Sequence, residues 1–204
     1  MPGSTDPWLV VGLGNPGPSY ATTRHNVGYR VVDLLAERIG GSWRRHRSGR
    51  ADAVEGRLGP PGSDPSPRVI LMRPRTYMNE SGGPVAAVAS YASVPAERVI
   101  AVHDELDLPF GEVRAKFGGG TGGHNGLRSL QRSLGTADFG RVRVGIGRPP
   151  GRQDPADFVL SPYTAMERRE IDLHVEVAAD VVASMILRGL AITQSSFHGR
   201  EKAT

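Results

Sequence analysis

The most constraining feature of this chain is a short apolar run, Trp8–Val11, which ends at Gly12 and is followed by a loop rich in glycine and proline. The run predicts a buried strand, and the helical spacing of apolar residues over 27–39 predicts a helix. Further strands are predicted at residues 51–58, 68–72, 98–103, 113–117 and 141–146, and further helices at 85–92, 127–134 and after the capping pair Thr164 and Glu167. Strands that alternate with helices in this way predict a layered α/β fold.

The length of 204 residues fits one domain, and no internal repeat or interdomain linker is visible. We expect a single domain over residues 7–197, between flexible tails at residues 1–6 and 198–204. The chain has no cysteine, which excludes disulfides, thiolate-bound metals and a cysteine nucleophile. Its apolar runs are too short to span a membrane, and its first residues lack the apolar region of a signal peptide, so we expect a cytoplasmic protein.

The charge balance is mildly basic, with 25 lysines and arginines against 21 acidic residues, for a net charge of +4. This excess is compatible with a polyanionic partner, and equally with a compositional preference for arginine. The basic run Arg44–Arg50 has the same two interpretations, an RNA contact or a solvated face.

Polar residues are concentrated where predicted strands and helices meet. The four asparagines of the chain, Asn15, Asn26, Asn79 and Asn125, all lie at or beside such junctions. Asparagine also suits turns and helix caps, which is the simpler explanation for any one of them. Two of the four directly follow a histidine, in His25-Asn26 and His124-Asn125, and loops at strand ends are where α/β folds build sites. The pattern therefore predicts a functional site at the strand ends.

One segment suggests a different chemistry, because Gly12–Gly17 matches G-x-G-x-x-G directly after a strand. This is the pattern of a dinucleotide-binding loop, and the nearby arginines of 44–47 would suit the 2′-phosphate of NADP. Pro16 removes one backbone N–H that such a loop aims at a pyrophosphate, and the predicted helix begins too late. An NADP-dependent reductase is therefore the weaker alternative.

Other site types are absent from the sequence. It contains no G-x-S-x-G of an α/β-hydrolase, no H-E-x-x-H of a metalloprotease and no P-loop. The residues His103, Asp104, Glu105 and Asp107 could supply metal ligands, but residues that alternate along a strand end need not converge. We therefore expect neither a metal nor a cofactor.

Five segments give the chain a close resemblance to the bacterial peptidyl-tRNA hydrolase family over nearly its whole length. They are GLGNPGPSYATTRHNVG (12–28), RPRTYMNESG (73–82), HDELDLPFG (103–111), KFGGGTGGHNGLRSL (116–130) and RVRVGIGRPPG (141–151). The resemblance implies a single-domain α/β/α layered fold with a twisted mixed β-sheet flanked by helices. It also implies a monomer that hydrolyses the ester between a peptide and the 3′ ribose of tRNA, without metal or cofactor.

The resemblance further implies roles for individual residues. His25 matches the catalytic base and Asp104 the acid that supports it. The other implied residues surround or grip the substrate: the amides Asn15, Asn79 and Asn125, the aromatics Tyr20 and Tyr77, and the phosphate-binding pair Lys116 and Arg143.

Chemical reasoning leads to a compatible mechanism. Without a cysteine or an elbow serine, water is the expected attacking group, and histidine is the natural base near neutral pH. A helix start would lower the pKa of His25, and a facing carboxylate such as Asp104 would raise it again. His124 either supports Asn125 or touches the substrate, and Asn15 either orients the water or helps to reject aminoacyl-tRNA with a free amino group.

The predicted function is therefore hydrolysis of peptidyl-tRNA by water that His25 activates. A non-catalytic RNA-binding domain of the same fold is the main alternative. The sequence leaves two points open, which are the preference among tRNAs and peptides, and whether residues 148–163 form a mobile lid or a static loop.

Overall fold

The computed structural model describes residues 7–59, 62 and 66–197, so both predicted tails lie outside the described residues. Within this part of the chain, one sheet contains seven strands in the order β2-β3-β4-β1-β5-β7-β6. The strands are β1 (Trp8–Gly12), β2 (Arg44–Arg45), β3 (Ala51–Arg57), β4 (Arg68–Pro74), β5 (Val99–Glu105), β6 (Val113–Phe117) and β7 (Gly140–Gly145). The α-helices are α1 (Val27–Arg38), α2 (Gly82–Tyr91), α3 (Asn125–Leu134), α4 (Pro155–Val159), α5 (Glu167–Arg188) and α6 (Leu190–Phe197).

The sheet is mixed. Strand β1 is parallel to β4 and β5, and β5 is parallel to β7, whereas β3 runs antiparallel to β2 and β4, and β6 antiparallel to β7. The α/β prediction and the expected mixed sheet are confirmed.

Alternation along the strands separates the core into two layers, one on each face of the sheet. In β1, Val10 packs with residues of α1 and α5, whereas Leu9 and Val11 pack with residues of α2 and α3. Because successive side chains of a strand point to opposite faces, a strand buried on both sides is apolar throughout. The uninterrupted apolar run Trp8–Val11 is thus a central strand between two helical layers.

Two helices were not predicted. Gly189 ends α5 as expected, but α6 begins at the very next residue, and Thr193 is its one buried residue among those described. Helix α4 has only five residues and buries a single one, Phe158. Neither helix carries enough apolar residues to show a helical period. No helix in the described part of the chain combines the length and the apolar character that a membrane span requires.

Glycines allow α1 to lie directly against the strand ends. A Cβ atom on Gly28 would be 2.3 Å from the carbonyl oxygen of Val102, and one on Gly12 would be 2.4 Å from that of Gly28. Both distances are far shorter than any real contact of a Cβ atom. The first turn of α1, which directly follows His25 and Asn26, is therefore held against β1 and β5.

We expect Gly28→Ala to lower the free energy of unfolding by about 1–3 kcal/mol, because the added methyl group must displace backbone on both sides. Urea unfolding followed by circular dichroism measures the change. Gly83→Ala is the matched control within α2, where the added Cβ atom would lie 3.7 Å from Nη1 of Arg50. It should be neutral or stabilising by up to about 1 kcal/mol. Equal stability of the two variants would contradict the close packing.

Candidate active site

A cleft of about 710 Å³ opens at the carboxyl ends of β1, β4 and β5. It is lined by eight of the residues that the sequence singled out: Asn15, Tyr20, His25, Tyr77, Asn79, Asp104, His124 and Asn125. The other two, Lys116 and Arg143, lie on the neighbouring strands β6 and β7. Side chains separated by up to about a hundred residues thus meet at one edge of the sheet, where open α/β folds bind their ligands.

His25 and Asp104 form a buried pair at the base of this cleft. His25 belongs to a short 3₁₀ helix, Arg24–Asn26, that leads into α1, and Asp104 lies in β5. The His25 Nδ1 atom is 2.9 Å from Oδ1 and 3.0 Å from Oδ2 of Asp104. An ionised carboxylate only accepts hydrogen bonds, so Nδ1 carries the proton and donates it. The lone pair of Nε2 is then free to act as a base.

The environment shifts the pKa values of both groups. Burial is the largest effect on His25 and lowers its pKa, but the charge and hydrogen bond of Asp104 together raise it above 6.5. The raising effect of a facing carboxylate agrees with the expectation for Asp104, and the opposing effect is burial. Burial alone would raise the pKa of Asp104, but the adjacent His25 and His124 hold it well below its usual value. Asp104 is accordingly an anion at neutral pH.

His124 uses both of its ring nitrogens. Nδ1 accepts hydrogen bonds from the backbone N–H groups of Gly126, at 3.1 Å, and Leu127, at 3.4 Å, and so caps α3. Nε2 must then carry the proton, which it donates to Oδ1 of Asp104 over 3.0 Å. Of the two roles left open by the sequence, this geometry favours support, and it leaves His25 as the imidazole with a free lone pair.

Asn26 is the site residue that the sequence reasoning missed. Its side chain accepts a hydrogen bond from the N–H of Asn15 and donates one to the carbonyl of Asn15, both over 2.9 Å. The Oδ1 atom of Asn15 in turn accepts from the N–H of Met78 over 2.7 Å. Asn15 therefore presents its NH₂ group to the cleft. Asn26 was visible beside His25, but its partner is the backbone of another loop.

The remaining amides and aromatics surround the cleft. The Oδ1 atom of Asn125 accepts from Arg128 over 3.1 Å, which leaves the Asn125 NH₂ group as the free donor. Asn79 lies in a short 3₁₀ helix after β4. The rings of Tyr20 and Tyr77 meet edge to face with centroids 6.2 Å apart, and Tyr77 is 57% exposed. The two tyrosines are placed to contact a substrate at the cleft rim.

Positive charge is concentrated beside the cleft, on β6 and β7, whose own residues do not line it; we call this region the cationic side. Lys116 lies opposite Arg141 in the register of these strands, and burial together with Arg143 and Arg141 lowers the pKa of Lys116. Within the described part of the chain, Arg143 forms an ion pair with Glu105, at 3.7 Å. Cations packed this closely with little compensation favour binding of an anion.

The buried guanidinium of Arg141 also shapes the glycine-rich loop. Arg141 is 1% exposed and donates to the carbonyls of Gly119, over 2.6 Å, and Gly120. The same loop leads into His124 and α3. One buried arginine therefore fixes a loop that lies between the cations and the catalytic cleft.

Two other kinds of site can be compared with this geometry. Among the described residues, ligand atoms of His25, Asp104 and His124 lie within 4.8 Å of one another and could hold a metal ion. Such an ion would have to displace the protons that both imidazoles donate to Asp104, and the absence of a metal remains a prediction.

The loop Gly12–Gly17 does not open a long helix, since α1 begins only at Val27. The loop therefore lacks the helix N-terminus that binds the pyrophosphate of a dinucleotide.

An imidazole bonded to a buried carboxylate, beside a set of amide donors, is an arrangement suited to a hydrolase on an α/β sheet. Comparison with known proteins agrees, because a family model described as peptidyl-tRNA hydrolase matches residues 9–204. A peptidyl-tRNA hydrolase of Kineococcus radiotolerans is 57% identical to this chain, over 95% of this chain and 98% of the length of the relative. One of Frankia alni is 58% identical over 97% of each chain. The crystal structure of peptidyl-tRNA hydrolase from Acinetobacter baumannii aligns with a TM-score of 0.83 and 33% identity, over 97% of this chain and 98% of that one. The chain belongs to the peptidyl-tRNA hydrolase family.

We expect Asp104→Asn to lower the pKa of His25, because the raising charge is lost while the burial that lowers the pKa remains. A histidine that acts as a base must be neutral, so with His25 in that role the rate should rise as pH increases through this pKa, and the rise should move to lower pH in the variant. NMR titration of the His25 ring, assigned by its loss in His25→Ala, measures the pKa directly. Asp107→Asn removes a carboxylate at the same cleft and should leave this pKa unchanged. An unshifted pKa in Asp104→Asn would refute the assigned role of Asp104.

Proposed function

We propose that this protein hydrolyses the ester between the peptide and the 3′ ribose of peptidyl-tRNA, with His25 activating the attacking water. The observation that carries the proposal is the buried hydrogen bond from His25 Nδ1 to Asp104, at 2.9 and 3.0 Å, in a cleft that also holds Asn15, Asn79 and Asn125. The family does not favour the alternatives, a non-catalytic RNA-binding domain and an NADP-dependent reductase.

The reaction begins with a water molecule between His25 and the ester carbonyl. Nε2 of His25 takes a proton as the water oxygen attacks, and Asp104 stabilises the imidazolium that forms. The free NH₂ group of Asn15 donates to the water oxygen and so orients its lone pair toward the carbonyl. The imidazolium then returns the proton to the 3′ oxygen of the ribose as the C–O bond breaks, which releases the peptide acid and free tRNA.

The carbonyl oxygen becomes negatively charged in the tetrahedral intermediate. We assign its stabilisation to the NH₂ groups of Asn79, in the 3₁₀ helix after β4, and Asn125, at the start of α3, which both line the cleft. Neutral amide donors directed at the oxygen where negative charge develops stabilise the intermediate. The hydrogen bond from Arg128 to Asn125 keeps the amide of Asn125 in the required orientation.

The tRNA half of the substrate is assigned to the cationic side of the cleft. Lys116 and Arg143 would bind a backbone phosphate near the 3′ end, and Tyr20 and Tyr77 would contact the substrate at the rim. The proposal also includes action as a monomer in the cytoplasm, without metal or cofactor.

The direct test is release of free tRNA from N-acetyl-aminoacyl-tRNA in the presence of EDTA, followed by gel electrophoresis. We expect turnover by the wild-type chain, and a kcat for His25→Ala that is lower by about 10²–10⁴-fold. Binding of tRNA should be nearly unchanged, since His25 acts on the reacting atoms. Loss of wild-type activity in EDTA would contradict the metal-free mechanism, and full activity of His25→Ala would exclude His25 as the base.

Lys116→Ala or Arg143→Ala should weaken the binding of full-length substrate more than the binding of a short mimic of the 3′ end, because the mimic lacks the phosphate. Each change should also reduce the slope of log K against log salt concentration by about 1, because one fewer phosphate contact releases fewer counterions. Filter binding at several salt concentrations measures the slope. Arg44→Ala, on the opposite edge strand β2, is the matched control and also tests the basic run Arg44–Arg50. Equal losses on both substrates would argue against the phosphate role.

A further inference from the structure

Arg24 is a buried cation directly beside the proposed base, and the reaction as described leaves it without a role. The residue is 3% exposed and precedes His25 in the 3₁₀ helix Arg24–Asn26. A buried charge is costly unless it is fully partnered, so its partners indicate what it does. They all lie in one segment, residues 158–167, which is more than 130 residues away in sequence.

The guanidinium of Arg24 binds this segment through both terminal nitrogens. Nη1 donates to the Ser161 hydroxyl over 2.6 Å and to the Pro162 carbonyl over 2.9 Å. Nη2 pairs with Oε2 of Glu167 over 2.6 Å. The same Glu167 oxygen accepts from the N–H of Thr164 over 2.6 Å, and thereby caps the start of α5. Arg24 thus joins the end of α4 to the start of α5.

Arg24 also packs against aromatic rings of this segment. Its guanidinium carbon is 4.2 Å from the ring centroid of Phe158 in α4 and 5.5 Å from that of Tyr163. The backbone N–H of Arg24 donates to the carbonyl of Ser161 over 3.2 Å, so main chain as well as side chain is attached. A planar guanidinium can stack and donate in several directions at once, which an ammonium group cannot do.

The opposite side of α4 is a wall of the catalytic cleft. The cleft is lined there by Pro155, Ala156, Val159 and Leu160, whereas Phe158 faces Arg24. The position of this wall is therefore tied to Arg24, the residue directly before the proposed base His25. A shift of α4 away from the cleft has to pull on Arg24, and hence on the 3₁₀ helix that contains His25.

We propose that Arg24 is a positioning residue that holds α4 in a fixed position relative to His25. Helix α4 is the wall of the cleft that faces the cationic side. The inference rests on the proposed function, since it assumes that His25 is the base. In this view residues 158–163 are anchored rather than mobile. The alignment of His25 then depends on the guanidinium fork of Arg24 and not on its charge alone.

The test compares Arg24→Lys, which keeps the charge, with Arg30→Met as a matched control. Arg30 pairs with Asp172 and so links α1 to α5, not to α4. Two quantities are measured. One is kcat on N-acetyl-aminoacyl-tRNA, normalised to the fraction of molecules that bind tRNA, and the other is the rate of hydrogen exchange at the Phe158 and Ser161 amides. Both amides are hydrogen-bonded at α4, to Asp154 and Phe158 carbonyls.

We expect Arg24→Lys to lower kcat by about 10- to 100-fold, as misplacement of a catalytic group typically does, with faster exchange at both amides. Affinity for tRNA should change less than about 2-fold, since the cationic side is untouched. Arg30→Met should retain the wild-type values. If Arg24→Lys does not fold, Ser161→Ala removes the hydroxyl that accepts from Arg24 and donates to the Phe158 carbonyl. It should show the same two effects, with kcat reduced by about 3-fold.

The outcomes separate this inference from the function itself. An inactive wild type would overturn both. An active wild type together with unchanged kcat in Arg24→Lys, or in Ser161→Ala where only that variant folds, would overturn the positioning role alone. A lower kcat without faster exchange at Phe158 and Ser161 would also overturn it, because the effect would then not pass through α4.

Discussion

The buried carboxylate of Asp104 is the group on which the site depends. It lies in the central part of the sheet, where an anion is stable only if donors replace the lost water. Two imidazoles supply them, from His25 ahead of α1 and from His124 at the start of α3. The two bonds determine which nitrogen of each ring is protonated, and therefore which ring can accept a proton from water. Three separate elements are oriented by one charge.

This arrangement requires the helices to approach the sheet closely. His25 can reach Asp104 only because the first turn of α1 contacts the ends of β1 and β5, and the glycine at position 28 permits that contact. The strand order adds a second requirement. Strand β1 lies between β4 and β5, so the segments after β1 and β4, which carry Asn15 and Asn79, lie near the end of β5, which carries Asp104, although the three are far apart in sequence. The core packing and the chemistry are consequences of the same topology.

The sequence predicted the layered fold because its apolar residues follow the periods of strands and helices over long segments. It also indicated the polar residues of the cleft, since these lie at strand ends and in motifs resembling a known family. It could not predict α4, whose five residues bury only Phe158. Nor could it reveal the hydrogen bonds of Asn26 and Arg24, because their partners lie in distant loops and several of them are backbone groups. Hydrogen bonds to backbone leave no pattern in side-chain identity.

The two sides of the cleft are held by the same device. Arg141 donates hydrogen bonds to the carbonyls of Gly119 and Gly120 on the cationic side. Arg24 donates to those of Ser161 and Pro162 on the opposite side. Arginine suits this task because it is always charged and can donate to several carbonyls at once. A mechanism in which water is the nucleophile forms no covalent bond between enzyme and substrate. Its rate therefore depends on how accurately the walls place the ester beside His25, and two buried arginines are a physical means of fixing that placement.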